Sequence, residues 1–145
     1  MYDKVVLPTD GSDLSFHGVE EGLEAAKAYG ISAVAVYVIP PSAISGHRLE
    51  ESGMNLINQF RKQQKDKGQK VLDKVKKMAD EAGVELETEI RDGEPYEEIS
   101  AVANPNDIIY ICSHGRSGLK SFFIGSTTTR VLKHTETTVA VVKAD

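Results

Sequence analysis

The sequence predicts an α/β chain built as a three-layer, doubly wound parallel sheet. Five short segments, at 5–7, 32–39, 84–90, 108–112 and 138–142, are rich in β-branched and other apolar residues and too short for ordinary helices. Segments of helical period or helix-forming composition separate them, and strands alternating with helices argue for parallel βαβ units. With 145 residues, 40% hydrophobic and 27% charged, the chain is expected to form one domain, 1–145, with a core that needs no disulfides.

Taken in order, Val5-Val6-Leu7 is an apolar run ended by Pro8, as suits a central strand buried on both faces. Thr9-Asp10-Gly11-Ser12 makes the turn into a helix whose Phe16, Val19, Leu23 and Ala26 recur at spacings of three and four. Gly30 is a natural stop. Ser32 to Ile39 is the second strand, closed by Pro40-Pro41. From Ser42 to about Met54 no period is visible, and the segment reads as a connection. A long polar helix follows, ending near Ala82-Gly83, with a stripe at Val71, Val75, Met78 and Ala82 that fades at Gln64 and Gly68. Its first half is expected to pack less tightly. Val84 to Ile90 alternates apolar residues with Glu85, Glu87 and Glu89, so one face is wet and the strand is an edge. Gly93-Glu94-Pro95 leads into a short helix with Ile99 and Val102 on its apolar side, ended by Asn104-Pro105-Asn106.

The stretch Asp107 to Thr129 carries the strongest functional signal. The buried strand Ile108 to Cys112 runs into a loop, Ser113 to Gly118, then Phe122-Phe123-Ile124, Gly125-Ser126-Thr127 and a helix marked by Val131 and Leu132. Strand, glycine loop and helix start together hold phosphate: backbone N–H groups converge and the helix dipole favours negative charge. Gly115 and Gly125 let the backbone approach a ligand, and Ser126 and Thr127 offer hydroxyls that can bind it or cap the helix. The last strand, Thr138 to Val142, is apolar.

Composition closes several classes. No run approaches the roughly 20 apolar residues of a membrane span. Met1 to Lys4 passes straight into a strand, so no signal peptide is expected and a cytoplasmic location follows. One cysteine forbids internal disulfides and cysteine-rich zinc sites. A formal net charge of −5 argues against general nucleic-acid binding. Between Arg61 and Lys77, however, eight basic residues meet two acidic ones, Asp66 and Asp73, which reads as a solvated helix face. Ser113-His114 is no G-x-S-x-G elbow, and His17, His47, His114 and His134 lack metal-ligand spacing. The P-loop and GxGxxG fingerprints are both missing.

The opening Val5 to Ser12, the spacing Gly115, nine residues, Gly125-Ser126, then Val131-Leu132 and the final strand, resembles the nucleotide-binding subgroup of the universal stress protein family over essentially the whole chain. The resemblance implies a Rossmann-like fold of the adenine nucleotide alpha hydrolase type, with strand order 3-2-1-4-5. Strands one and four then meet at a topological switch point, where open α/β sheets bind ligands. It implies adenine, ribose and phosphate contacts from Pro8, Thr9, Asp10, Val38, Gly115, Arg116, Gly125, Ser126 and Thr127. The ligand would be ATP, or AMP or ADP, with Mg²⁺ or Mn²⁺ held through the phosphates. Asp10 can also serve as an Asx-type turn, a compatible role, and Val38 as core packing. Cys112 takes the tenth binding position, and there the chain departs from the family pattern, in which the first glycine should stand. A side chain there either crowds adenine or ribose, or replaces a glycine that was not essential. The resemblance further implies a homodimer pairing Thr137 to Lys143 with its copy, which would cover a long apolar edge. The expected role is a stress-response or signalling module working with a protein partner, at most a slow ATPase, with no general base in evidence. The alternative is a relative that binds no nucleotide and acts through dimerisation and partners.

Overall fold

A computed structural model describes residues 1–41, 51–113 and 125–143, the side chains of 51–55 excepted. Its strands are β1 (Lys4–Pro8), β2 (Ser32–Ile39), β3 (Leu86–Asp92), β4 (Ile108–Cys112) and β5 (Thr138–Val142). The helices are α1 (Asp13–Tyr29), α2 (Glu51–Ala82), α3 (Pro95–Val102) and α4 (Ser126–His134). All strand pairs are parallel and the order is β3-β2-β1-β4-β5, as expected.

The two-residue period of a strand sends alternate side chains to opposite faces. Val5, Leu7, Ala33, Ala35, Tyr37 and Ile39 pack under α1 and α2, against Phe16, Val19, Leu23, Leu72, Val75 and Ala79. Val6, Val34, Val36, Ile109 and Ile111 pack under Ile99 and Val102 of α3 and Val131 of α4. Three layers result. The inner strands β1, β2 and β4 are covered on both sides, which is why they read as unbroken apolar runs. Their edge neighbours differ: Glu87 and Thr88 of β3 are exposed, and most of β5 is half-buried.

Helix ends follow local chemistry. Ser12 caps α1, its hydroxyl accepting from Ser15 N–H at 3.1 Å, and Gly30 ends it in the left-handed region at φ +67°. Pro95 opens α3 after Glu94.

Four details differ from the sequence reading. β3 begins at Leu86, because Val84 is buried in the preceding turn, where its N–H donates to Ala79 O at 2.9 Å. α2 begins at Glu51, so the last residues before Met54 are helical and not irregular. Gly68 does not interrupt the stripe of α2 but belongs to it: it is buried, and a Cβ there would lie 2.6 Å from Tyr37 Cδ1. Leu132 turns outward, 42% exposed, and Val131 alone of that pair enters the core. The expectation for the first half of α2 holds from Leu56 to Lys67, where no residue is fully buried. All eight basic residues between Arg61 and Lys77 are exposed. Among the described residues no helix is long and apolar enough to cross a membrane.

Candidate functional site

β1 and β4 lie side by side, yet the chain leaves β1 for α1 on one face of the sheet and reaches α4 on the other face after β4. Such a divergence opens a crevice beyond the carboxyl ends of the strands. Here it is a cavity of about 340 Å³, within the usual range of small-molecule sites.

One wall is the β1–α1 turn. Asp10 accepts a hydrogen bond from Ser12 N–H through Oδ1 at 2.9 Å, an Asx turn. Gly11 takes φ +84°, with Val71 of α2 against the place a Cβ would occupy at 2.8 Å, so a side chain there is excluded twice over. Thr9 N–H reaches across to Val36 O at 3.0 Å, fixing this turn to β2. Its hydroxyl lies 2.8 Å from that of Ser15, and both residues are buried.

The facing wall is the start of α4. Gly125 N–H donates to Ser113 O at 2.6 Å and the Thr128 hydroxyl to Cys112 O at 2.9 Å, which moor the helix to the end of β4. Ser113 N–H donates in turn to Val142 O at 2.8 Å, adding β5 to the same anchor. Gly125 at the cap position of α4 offers no side-chain cap, and no acidic residue sits in the first turn. The expected capping role of Ser126 and Thr127 is therefore not filled; Gly125 holds the cap position, and the two hydroxyl residues stand inside the first turn beside the crevice. Helix N–H groups left without intrahelical partners, at the positive end of the dipole, suit an anion.

Apolar groups form the rest. Pro8, Val38 and Pro40 border the crevice from β1 and β2, Ile111 and Cys112 from β4, and Pro95 and Ile99 from α3. Among the described lining residues Asp10 is the one carrying charge at neutral pH.

Eight of the ten expected residues thus converge: Pro8, Thr9, Asp10, Val38, Cys112, Gly125, Ser126 and Thr127. Gly115 and Arg116 lie outside the described residues. Ser15, Thr128, Pro95 and Ile99 were not foreseen. Ser15 and Thr128 each sit three residues into a helix that begins at the crevice, and that spacing was the available signal. Pro95 and Ile99 come from a helix whose placement depends on the chain crossing to the opposite face.

An open, doubly wound sheet with an apolar crevice at its switch point and a helix start on one wall defines a Rossmann-like α/β protein. The chain belongs to the universal stress protein family, whose model matches residues 1–143. The universal stress protein MJ0531 of Methanocaldococcus jannaschii is 38% identical, over 99% of this chain and 83% of its own. The solved structure of MJ0577 from the same organism superposes with a TM-score of 0.83 at 28% identity, over 100% of this chain and 98% of that one. Two more distant structures share the fold: an Arabidopsis thaliana family protein with AMP bound (TM-score 0.68, 18% identity, 99% and 92% covered) and a universal stress protein in complex with cAMP (0.66, 22%, 97% and 96%).

Proposed function

We propose that this protein is a cytoplasmic stress-response module that binds an adenine nucleotide, ATP foremost, in the crevice between β1 and β4. The observation that carries the reading is the α4 start: a helix N-terminus with glycine at its cap position, beside Ser126 and Thr127, across from an apolar floor large enough for a base. Phosphate belongs against α4 and the base among Pro8, Val38 and Ile111. That relatives of this fold hold AMP and cAMP supports the same assignment.

No group of three His, Cys, Asp or Glu among the described residues could hold a metal ion. A divalent ion, Mg²⁺ or Mn²⁺, would come with the phosphates and be held through them. For hydrolysis the described lining offers one carboxylate, Asp10, whose Oδ1 is already engaged by Ser12 N–H. We assign binding and signalling, not rapid turnover, to this site.

Calorimetric titration with ATP and AMP, with and without Mg²⁺, tests the proposal beside Gly125→Val, which puts a branched side chain at the cap where phosphate must approach. Saturable heat in the wild type, weakened by about tenfold or more in the variant, is the expected result. No heat at millimolar nucleotide in folded protein refutes it. One observation favours a second reading, in which the chain works through dimerisation and partners without nucleotide: buried Cys112 lines the crevice where the family pattern has glycine. That reading requires the null titration.

A further inference from the structure

The hydroxyls of Thr9 and Ser15 have their protons fixed by the surrounding bonds, and this decides what the crevice can recognise. A hydroxyl carries one proton and two acceptor lone pairs. Ser15 Oγ lies 2.8 Å from the carbonyl oxygen of Ser12, which can only accept, so the Ser15 proton is committed there. The 2.8 Å contact between Thr9 Oγ1 and Ser15 Oγ must then be donated by Thr9. Thr9 Oγ1 in turn accepts from Gly11 N–H at 3.2 Å. Both protons run inward along one relay, Thr9 to Ser15 to the Ser12 carbonyl. Each oxygen keeps one unused acceptor position, and both residues line the crevice.

The wall is thus acceptor in character. The nearby start of α1 does not reverse it: Ser12 Oγ already takes Ser15 N–H, Ser12 O takes Phe16 N–H, and Asp13 adds a carboxylate to the first turn. α4, on the facing wall, has glycine at its cap position and no acid in its first turn. The crevice therefore has an acceptor side and a donor side.

We propose that Thr9 and Ser15 form a subsite for a hydrogen-bond donor of the ligand, an amino or hydroxyl group, and so set both its orientation and its selectivity. This deepens the nucleotide reading and rests on it. An anionic group finds no hydroxyl proton on this wall and is better served at α4. On a nucleotide the donor comes from one of two sources, the 6-amino group of adenine or the ribose hydroxyls.

The test compares AMP with two analogues by calorimetry: purine riboside 5′-monophosphate, which lacks the amino group, and 2′,3′-dideoxyadenosine 5′-monophosphate, which lacks the hydroxyls. One analogue should bind about tenfold more weakly than AMP, since it leaves buried acceptors unpaired, and which one identifies the source. In Ser15→Ala the Thr9 proton loses its acceptor and turns to the crevice, so the ratio should fall toward one; Thr9→Val removes the relay and should do the same. A merely structural role would weaken all three ligands together and leave the ratio intact. Binding of both analogues within about twofold of AMP, or a ratio unchanged in both variants, overturns the inference while nucleotide binding stands. No binding of AMP to the wild type overturns both.

Discussion

Glycine is used in this chain for two separable reasons. Gly30 takes φ +67° with nothing within 4 Å of a Cβ, so only its conformation matters. Gly22 is an ordinary helical position, but a Cβ would run into Leu7 Cδ2 and come 3.0 Å from Tyr110 Cβ, where α1 presses on β1 and β4. Gly22→Ala should destabilise despite the better helix propensity of alanine. Overpacking a closed core costs about 1–3 kcal/mol, and the propensity gain returns about 1. A urea titration should show a lower midpoint with an unchanged slope. A midpoint at or above that of the wild type would show that Leu7 repacks freely. At the same scale the sequence was a good guide to the crevice. Pro8, Thr9, Asp10, Gly125, Ser126 and Thr127 flank their strands and helix in the chain itself. Ser15, by contrast, looked like any residue in a first turn. Its importance comes from a neighbour six positions earlier, brought within hydrogen-bond distance only when the turn closes.

Among the elements, α2 bears the cluster of positive charge, and its packing separates decoration from structure. Lys74 Nζ lies 4.0 Å from the centre of the Phe16 ring, joining α2 to α1. Its neighbour Lys70 is exposed one turn away. Lys74→Ala should lower stability by about 0.5–1 kcal/mol, the worth of a cation–π contact near the surface. Lys70→Ala should stay within about 0.5 kcal/mol of the wild type. Denaturant titrations of both variants decide the matter, and equal losses would contradict the solvated-face account. The same helix shows where periodicity misled. Gly68 looked like a gap because glycine counts as neither apolar nor large, yet the aromatic ring of Tyr37 fills that space. Apolar stripes register side chains; they do not register a backbone that is close because a side chain is missing.

For the whole molecule the exposed question is β5. Among the described residues it pairs with β4 on one side only, and Val139, Ala140, Val141 and Val142 stand half-buried at the end of the sheet. An apolar edge of this kind invites pairing with another strand, and the proposed partner is a second copy across a two-fold axis. Sedimentation velocity should show a dimer whose dissociation follows dilution. Val142→Lys should shift it to monomer without changing the far-ultraviolet circular dichroism. A wild-type chain that sediments as a monomer at every concentration would end the dimer proposal.

The sequence by itself determined the strand and helix order, the parallel sheet and the residues that end each element toward the crevice. These follow from local rules, since period, caps and turns are set within a few residues. Tertiary structure alone decided the rest. It closed the apolar wall with Pro95 and Ile99, set Gly68 against Tyr37, and moored α4 to β4 through the Thr128 hydroxyl. It also committed the protons of Thr9 and Ser15 inward. Each of these depends on which groups meet after the chain has crossed the sheet, and a hydrogen bond or a steric limit has no value until both partners are in place.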